Sequence, residues 1–168
     1  ITDPKARRIC GNEKWGKKIS PSLRSDSTED AFDWKNDRRP QIPYENSIFY
    51  QLHVRGFTKH TSSGVTAKGT FAGLAEKIPY LKSLQVTAVE LMPVYEFTEL
   101  EAVKPLRQNA YPAKDQEGNP VEETLPRINY WGFKKGYYFA PKASYSVKDP
   151  VLEFKEMVRA FLSLIHIS

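Results

Sequence analysis

The sequence predicts an α/β fold organised around a strand–helix–strand unit. Two segments, 47–55 (SIFYQLHVR) and 86–91 (VTAVEL), are almost continuously apolar, which is typical of strands that are buried on both faces. Between them, apolar residues recur every three or four positions over 69–84, which predicts a helix. This succession of elements predicts two parallel strands that are joined by a right-handed crossover.

Several residues define the ends of these elements. Gly56 is expected to permit a turn after the first strand, and Thr70 is placed to cap the helix over 69–84. Pro79 predicts a kink or break inside that helix. Asp149 and Pro150 predict the start of a further helix, because Asp is a favoured N-cap and Pro is favoured at the first helical position. The apolar face of that helix is expected to contain Val151, Phe154, Val158 and Leu162 or Phe161.

The remaining segments are more polar. Residues 1–46 are rich in Pro, Ser, Asp, Lys and Arg and predict irregular chain or the end of another domain, followed by a linker. Residues 95–128 carry several prolines without a clear period, which predicts a long functional loop. No apolar run approaches the ~18 residues of a membrane span, and no secretory signal is recognisable. Because the sequence begins with Ile, we expect the natural start to lie upstream.

Charge and metal-binding residue types exclude several functions. The 25 Lys and Arg exceed the 20 Asp and Glu, but they are spread out, which favours a solvated surface over a nucleic-acid interface. The single cysteine, Cys10, has no partner for a disulfide or a zinc site, and the three histidines lack metal-binding spacing. The sequence therefore predicts neither a metal nor a cofactor, and no nucleic-acid or membrane partner.

Three blocks in this order resemble one known family. They are IFYQLHVRGFT (48–58), GTFAGLAEKIPYLKSLQVTAVELMPVYEF (69–97) and NYWGFKKGYYFAPKASYS (129–146). Together they are similar to the debranching branch of glycoside hydrolase family 13, which includes isoamylases, type I pullulanases and bacterial glycogen debranching enzymes. Residues 3–16 and 32–45 also resemble the exit from the N-terminal starch-binding β-sandwich of these enzymes.

The resemblance implies that the chain is part of a larger enzyme. In this family the catalytic domain is a (β/α)₈ barrel. Residues 1–46 would be the end of the β-sandwich and its linker, 47–160 the first two βα units of the barrel, and 161–168 an atypical tail. The catalytic carboxylates of the family lie on later strands that have no counterpart here. We therefore expect an inactive N-terminal fragment of a retaining enzyme that cleaves α-1,6-glucosidic bonds in glycogen, pullulan or limit dextrin.

The substrate-binding residues expected from this resemblance are mostly aromatic, because aromatic rings stack on the flat faces of sugars. Phe133, where the family commonly has Tyr, would stack on the glucose beside the scissile bond. The further expected contacts with the α-glucan are made by Tyr130, Trp131, Asn129 and Tyr95. The alternative function is that of a non-catalytic α-glucan-binding module.

The other candidate groups are expected to have structural roles. No catalytic residue is predicted, because the spacing of the acidic residues gives no reason to expect a facing pair. His53 is expected to be a hydrogen-bonded core group on the first strand, and Arg55 to pair with a carboxylate. Structural or surface positions are expected for Glu90, Glu96, Glu99 and Glu101, and packing positions for Tyr137, Tyr138 and Phe139.

Overall fold

The computed structural model describes residues 3–17, 24–25, 31–35, 40–103, 117 and 125–165. Most of the middle of the loop predicted over 95–128, and the last three residues of the tail predicted at 161–168, lie outside the described residues. So does much of the segment predicted as the end of a β-sandwich and a linker. These domain boundaries remain predictions.

A parallel strand pair lies at the centre of the described structure. Strand β3 (Phe49–Leu52) pairs with β4 (Ala88–Leu91), with Phe49 opposite Ala88 and Leu52 opposite Leu91. The α/β prediction with a parallel pair is therefore confirmed. The prediction that both strands are buried on both faces was wrong, because Phe49, Gln51 and Glu90 are exposed and only Leu52 of the pair is buried. Strand β1 (Ile9–Cys10) and strand β2 (Arg24–Ser25) form a separate antiparallel pair.

The first strand ends earlier than predicted. The Nδ1 atom of His53 accepts a hydrogen bond of 2.9 Å from the Gly56 amide and thereby caps the short helix α1 (Val54–Thr58). His53 therefore lies at the end of β3, and the prediction that Arg55 is a strand residue was wrong. Gly56 also lies within this helix, not in a turn.

The predicted helix over 69–84 consists of two short helices, α2 (Phe71–Ala75) and α3 (Ile78–Ser83). The break expected at Pro79 is confirmed, because Pro79 lies in the first turn of α3, where its missing amide is not needed. The hydroxyl of Thr70 accepts a 3.1 Å hydrogen bond from the Gly73 amide, so the predicted cap is also confirmed.

The described residues between Tyr95 and Pro141 include four short strands. Strand β5 (Tyr95–Phe97) pairs with β8 (Gly136–Pro141), and β6 (Leu100–Val103) pairs with β7 (Leu125–Ile128), both antiparallel. The prediction of a loop without regular structure was wrong here. The strands are short and their partners are distant in the sequence, so no local periodicity marks them.

Helix α4 (Pro150–Ile165) closes the core against α2. Its N-cap is confirmed, because Asp149 Oδ1 accepts hydrogen bonds from the amides of Val151 at 2.9 Å and Leu152 at 3.0 Å. The helix continues beyond residue 160, into the segment predicted as an atypical tail. The buried core is formed by Leu52, Val54, Phe71, Leu74, Leu81, Phe97, Tyr145 and Met157.

Candidate functional site

The predicted binding residues lie on and beside one turn between β7 and β8. Asn129 holds this turn with both polar atoms of its side chain, because Oδ1 accepts from the Gly132 amide at 3.2 Å and Nδ2 donates to the Thr98 carbonyl at 3.2 Å. The hydroxyl of Tyr95 donates to the Gly132 carbonyl at 2.8 Å. The polar groups of Asn129 and Tyr95 are thus used to shape the turn.

Glycine is required at the centre of the turn. Gly132 has φ +76°, a left-handed conformation that residues with a Cβ adopt at a cost. A Cβ at this position would lie 2.8 Å from Cδ1 and Cζ of Phe97, and still closer to Cε1. The turn is therefore pressed against a ring of the core, which fixes the path of residues 130–133.

Three aromatic side chains of the turn have different degrees of exposure. Tyr130 is half-buried and stacks on the His53 ring, with centroids 4.4 Å apart and planes 12° apart. Trp131 meets both rings edge-on, at 5.8 Å from His53 and 5.1 Å from Tyr130, and is 53% exposed. Phe133 is 70% exposed. The turn therefore offers two exposed rings beside a held one.

His53 supports this arrangement through its tautomer. Because Nδ1 accepts from the Gly56 amide, the proton of the neutral ring is on Nε2. Nε2 donates to the Tyr130 carbonyl at 2.9 Å and lies 3.0 Å from the Tyr145 hydroxyl. Burial lowers the pKa of His53, the Arg55 charge lowers it further, and the Tyr130 carbonyl acts in the opposite direction. The expectation that His53 is a hydrogen-bonded core group is confirmed.

Trp15 of the N-terminal segment packs against the same group of rings. It stacks on Tyr145 at 5.7 Å with planes 19° apart, and it meets Tyr130 edge-on at 5.9 Å. The guanidinium of Arg55 lies 4.8 Å from the Trp15 ring centroid, a cation–π contact. Sequence reasoning missed Trp15. The available signal was a lone Trp in a polar segment, and nothing local connects it with residues more than 100 positions away.

A buried ion cluster lies next to these rings. The Lys142 ammonium is 2.6 Å from a carboxylate oxygen of Glu96 and 2.6 Å from one of Glu99, and all three side chains are at most 1% exposed. Glu96 also accepts hydrogen bonds from the Asn12 amide and, at 2.8 Å, from the Ala143 amide. Burial raises the pKa of Glu96, while Lys142 and these hydrogen bonds act in the opposite direction.

Glu99 is satisfied in the same way. Its carboxylate accepts from the Ser144 hydroxyl at 2.9 Å and from the Gly16 amide at 3.0 Å, in addition to Lys142. Both buried carboxylates are thus fully engaged within the protein and enclosed away from solvent. Glu90 is exposed and accepts a hydrogen bond from Gln51, whereas the side chain of Glu101 lies outside the described part of the structure.

The strand that follows the turn carries two further exposed rings. Tyr138 is 64% exposed and Phe139 is 65% exposed, so the expectation that they pack the loop onto the core was wrong. Both residues lie where the register of β8 against β5 shifts, between the Glu96–Tyr137 and Tyr95–Pro141 pairs, so neither has a residue of β5 opposite it. Tyr137 is half-buried and does pack, against Ala6, Ile9 and Ala140.

The described residues contain neither a metal-ligand cluster nor a candidate membrane span. Among them, no group of three or more His, Cys, Asp or Glu side chains is arranged to hold a metal ion. No helix within the described ranges is long and apolar enough to cross a bilayer.

The parallel strand pair and its connecting helices define an α/β protein, and comparison with known proteins makes the class more specific. No family model matches the chain. Isoamylase 1 of Arabidopsis thaliana is 32% identical over 87% of this chain and 18% of its own length. Isoamylase 3 of Oryza sativa is 35% identical over 94% of the chain and 19% of its own length. The glycogen operon protein GlgX homolog of Haemophilus influenzae is 33% identical over 96% of this chain and 24% of its own length.

Solved structures of pullulanases have the same fold over this stretch. The Anoxybacillus sp. pullulanase in complex with maltotriose has a TM-score of 0.57 and 27% identity, covering 97% of this chain and 22% of its own. The Paenibacillus barengoltzii enzyme in complex with maltohexaose and α-cyclodextrin has a TM-score of 0.62 and 24% identity, covering 96% of this chain and 24% of its own. The chain belongs with the debranching branch of glycoside hydrolase family 13. It spans about a fifth of the length of these relatives.

Proposed function

We propose that this chain is part of an α-glucan debranching glycoside hydrolase. The whole protein would cleave α-1,6-glucosidic bonds in glycogen, pullulan or limit dextrin with retention of configuration. Strands β3 and β4 would be the first two strands of its (β/α)₈ barrel, followed by a long excursion over the active-site face. The parallel register of this pair and the homology to isoamylases and GlgX proteins support the proposal.

The observation that carries the proposal is the exposure of two aromatic rings on a rigid turn. Trp131 and Phe133 are 53% and 70% exposed, although water contact is unfavourable for side chains of this size. A pyranose presents C–H groups on its flat face, and an aromatic ring that covers them removes apolar area from water with little loss of side-chain freedom. We assign these two rings to direct contact with an α-glucan.

The other predicted residues have supporting roles in this proposal. Tyr130 is held by its stacking on His53 and gives Trp131 a fixed neighbour. Asn129 and Tyr95 set the shape of the turn through their hydrogen bonds. The described carboxylates of the cluster do not take part in proton transfer, since Glu96 and Glu99 already accept hydrogen bonds from Lys142 and from further donors.

Sedimentation with glycogen tests the proposed binding. The chain is expected to bind, and Trp131→Ala or Phe133→Ala should each weaken the association about tenfold, the loss of one well-packed ring. Phe139→Ala is the matched control, because its ring is 65% exposed on the following strand, and should bind as the wild type does. Phe133→Tyr retains the ring and should retain binding. A wild-type chain that stays in the supernatant refutes the proposal.

The second candidate function is a non-catalytic α-glucan-binding module. It is favoured by the same exposed rings together with the full engagement of the two buried carboxylates. Release of reducing sugar from pullulan separates the two functions. The longer debranching enzyme should release it, whereas a binding module should bind glycogen and release none. The chain of this exact length should bind without cleaving, and cleavage by it would contradict the assignment of roles above.

A further inference from the structure

We propose that Lys142 is a positioning residue for α-glucan binding. Through Glu96 and Glu99 it anchors residues 12–16 of the N-terminal segment, and this anchoring holds Trp15 against the aromatic turn. The inference rests on the proposed function, because it names a residue that acts on the same site without touching the sugar.

The anchor consists of contacts between distant parts of the chain. The Lys142 ammonium donates to Glu96 and Glu99, which lie on and beside β5. Besides the bonds from Ala143 and Ser144, each carboxylate accepts one hydrogen bond from the N-terminal segment, since Asn12 donates to Glu96 and the Gly16 amide donates to Glu99 at 3.0 Å. Asn12 itself is only 3% exposed. The chain is thus anchored both before Trp15, at Asn12, and after it, at Gly16.

The Lys142 ammonium is necessary to hold Glu96 and Glu99 together, because it lies between these two carboxylates in a site that is closed to water. Arg55 is near enough to Glu99 for their charges to interact. The aromatic rings nearest to the Lys142 Nζ are those of Phe97 at 4.5 Å and Trp15 at 5.9 Å. Without the ammonium, two like charges would face each other among rings, which is strongly unfavourable. Relief requires the carboxylates to separate or to take up protons, and separation releases the N-terminal segment.

Trp15 transmits the anchoring to the binding surface. It contacts Tyr130 edge-on at 5.9 Å, His53 at 6.4 Å and Tyr145 in a stack at 5.7 Å. Tyr130 and His53 are the two rings against which Trp131 packs. A displaced Trp15 therefore removes one wall of the pocket that fixes Tyr130, and the exposed Trp131 loses its fixed orientation.

The test has one measurement that does not depend on sugar. In a chain with Trp34→Phe and Trp131→Phe, Trp15 is the remaining tryptophan, and quenching of its fluorescence by acrylamide reports its accessibility. Lys142→Met should increase the quenching constant. Lys82→Met makes the same side-chain change at an exposed position on α3 and should leave the constant unchanged. Asn12→Ala removes one link without removing the charge, so it gives a smaller increase and serves if Lys142→Met does not fold.

The second measurement is the dissociation constant for maltohexaose in chains that retain all three tryptophans. Lys142→Met should weaken binding on the order of tenfold, a typical effect when a ring of a binding site loses its position. The triple variant Lys142→Met, Glu96→Gln, Glu99→Gln keeps acceptors for Asn12 and Gly16 without the repulsion. It should recover most of the lost affinity, which a general loss of stability would not do.

The outcomes separate the positioning role of Lys142 from the proposed binding of α-glucan. Increased quenching together with weakened binding supports the inference. Unchanged quenching in both Lys142→Met and Asn12→Ala overturns it, and so does increased quenching with unaltered affinity. A wild-type chain that binds no maltohexaose refutes the proposed function, and the positioning role for α-glucan binding is refuted with it.

Discussion

Replacing Gly132 by Ala tests whether the aromatic turn is rigid because of its contact with the core. Two costs are expected from the structure. The first is the left-handed backbone, because φ is +76° and a Cβ in this region costs about 1–2 kcal/mol. The second is overpacking, because the new methyl would lie 2.8 Å or less from three atoms of the Phe97 ring, which typically costs about 1–3 kcal/mol.

The two costs add to a destabilisation of about 2–5 kcal/mol. Gly64→Ala is the matched control, because Gly64 has a similar φ of +70° and no atom within 4 Å of the added Cβ. It should lose only the conformational part, about 1–2 kcal/mol. The difference between the two variants isolates the contact between the turn and Phe97.

Urea unfolding followed by circular dichroism measures both variants, and the free energy of unfolding comes from the midpoint and the slope. Gly132→Ala is also expected to weaken glycogen binding, since the clash displaces Trp131 and Phe133, whereas Gly64→Ala should not. If Gly132→Ala is no less stable than Gly64→Ala, the turn is not pressed against Phe97, and the argument for its rigidity is refuted.

Three further predictions concern stability. Burial lowers the folded-state pKa of His53 below the 6.5 of the unfolded chain, so the unfolded chain binds the proton first as the pH falls. The free energy of unfolding should therefore fall as the pH drops below about 6.5. The fall should be smaller in His53→Asn, which keeps a capping oxygen. Gln85 has φ +58°, so Gln85→Gly should raise the free energy of unfolding by about 0.5–1 kcal/mol after the entropy cost of glycine, measured as a higher urea midpoint; an unchanged or lower midpoint would contradict this. Asp149→Ala should lower the free energy of unfolding by about 1 kcal/mol for the lost cap, in addition to the contribution of the partly exposed ion pair with Arg8. Asp149→Asn should lose the ion pair alone, about 0–1 kcal/mol. Equal losses in the two variants would show that the cap contributes nothing.

The parts of the fold that could be predicted follow local rules. Strands β3 and β4 were visible as apolar runs, and Thr70, Pro79 and Asp149 each marked an element end through its own chemistry. The end of the first strand was missed because a histidine is a rare cap. His53 takes this role through Nδ1, and nothing in its immediate sequence distinguishes it from a strand residue.

The parts that could not be predicted depend on contacts between distant residues. The pairs β5–β8 and β6–β7 join segments that carry no alternating pattern. Asn12 and Glu96 are 84 positions apart, so their contact leaves no local trace. Lys142 gave one usable hint, since it is the one charged residue in FAPKASYS, and a lysine that becomes buried requires a partner.

The composition of the sequence located the candidate site, but it did not give the arrangement of the side chains within it. The density of aromatic residues in 129–139 indicated the right turn, but it did not distinguish exposed rings from packed ones. Tyr130 is held against His53, whereas Tyr138 and Phe139, expected to be packed, are exposed. Exposure depends on which segment covers each face of β8, and that is a property of the tertiary structure.

The dissociation constant for a linear maltooligosaccharide tests the central assignment most directly. Isothermal titration of maltohexaose should show binding by the wild type and by Phe139→Ala with the same constant. The double variant Trp131→Ala, Phe133→Ala should bind at least about tenfold more weakly while unfolding at a similar urea concentration, because both rings are exposed. Equal constants for the wild type and the double variant would contradict the assignment of these rings to α-glucan binding.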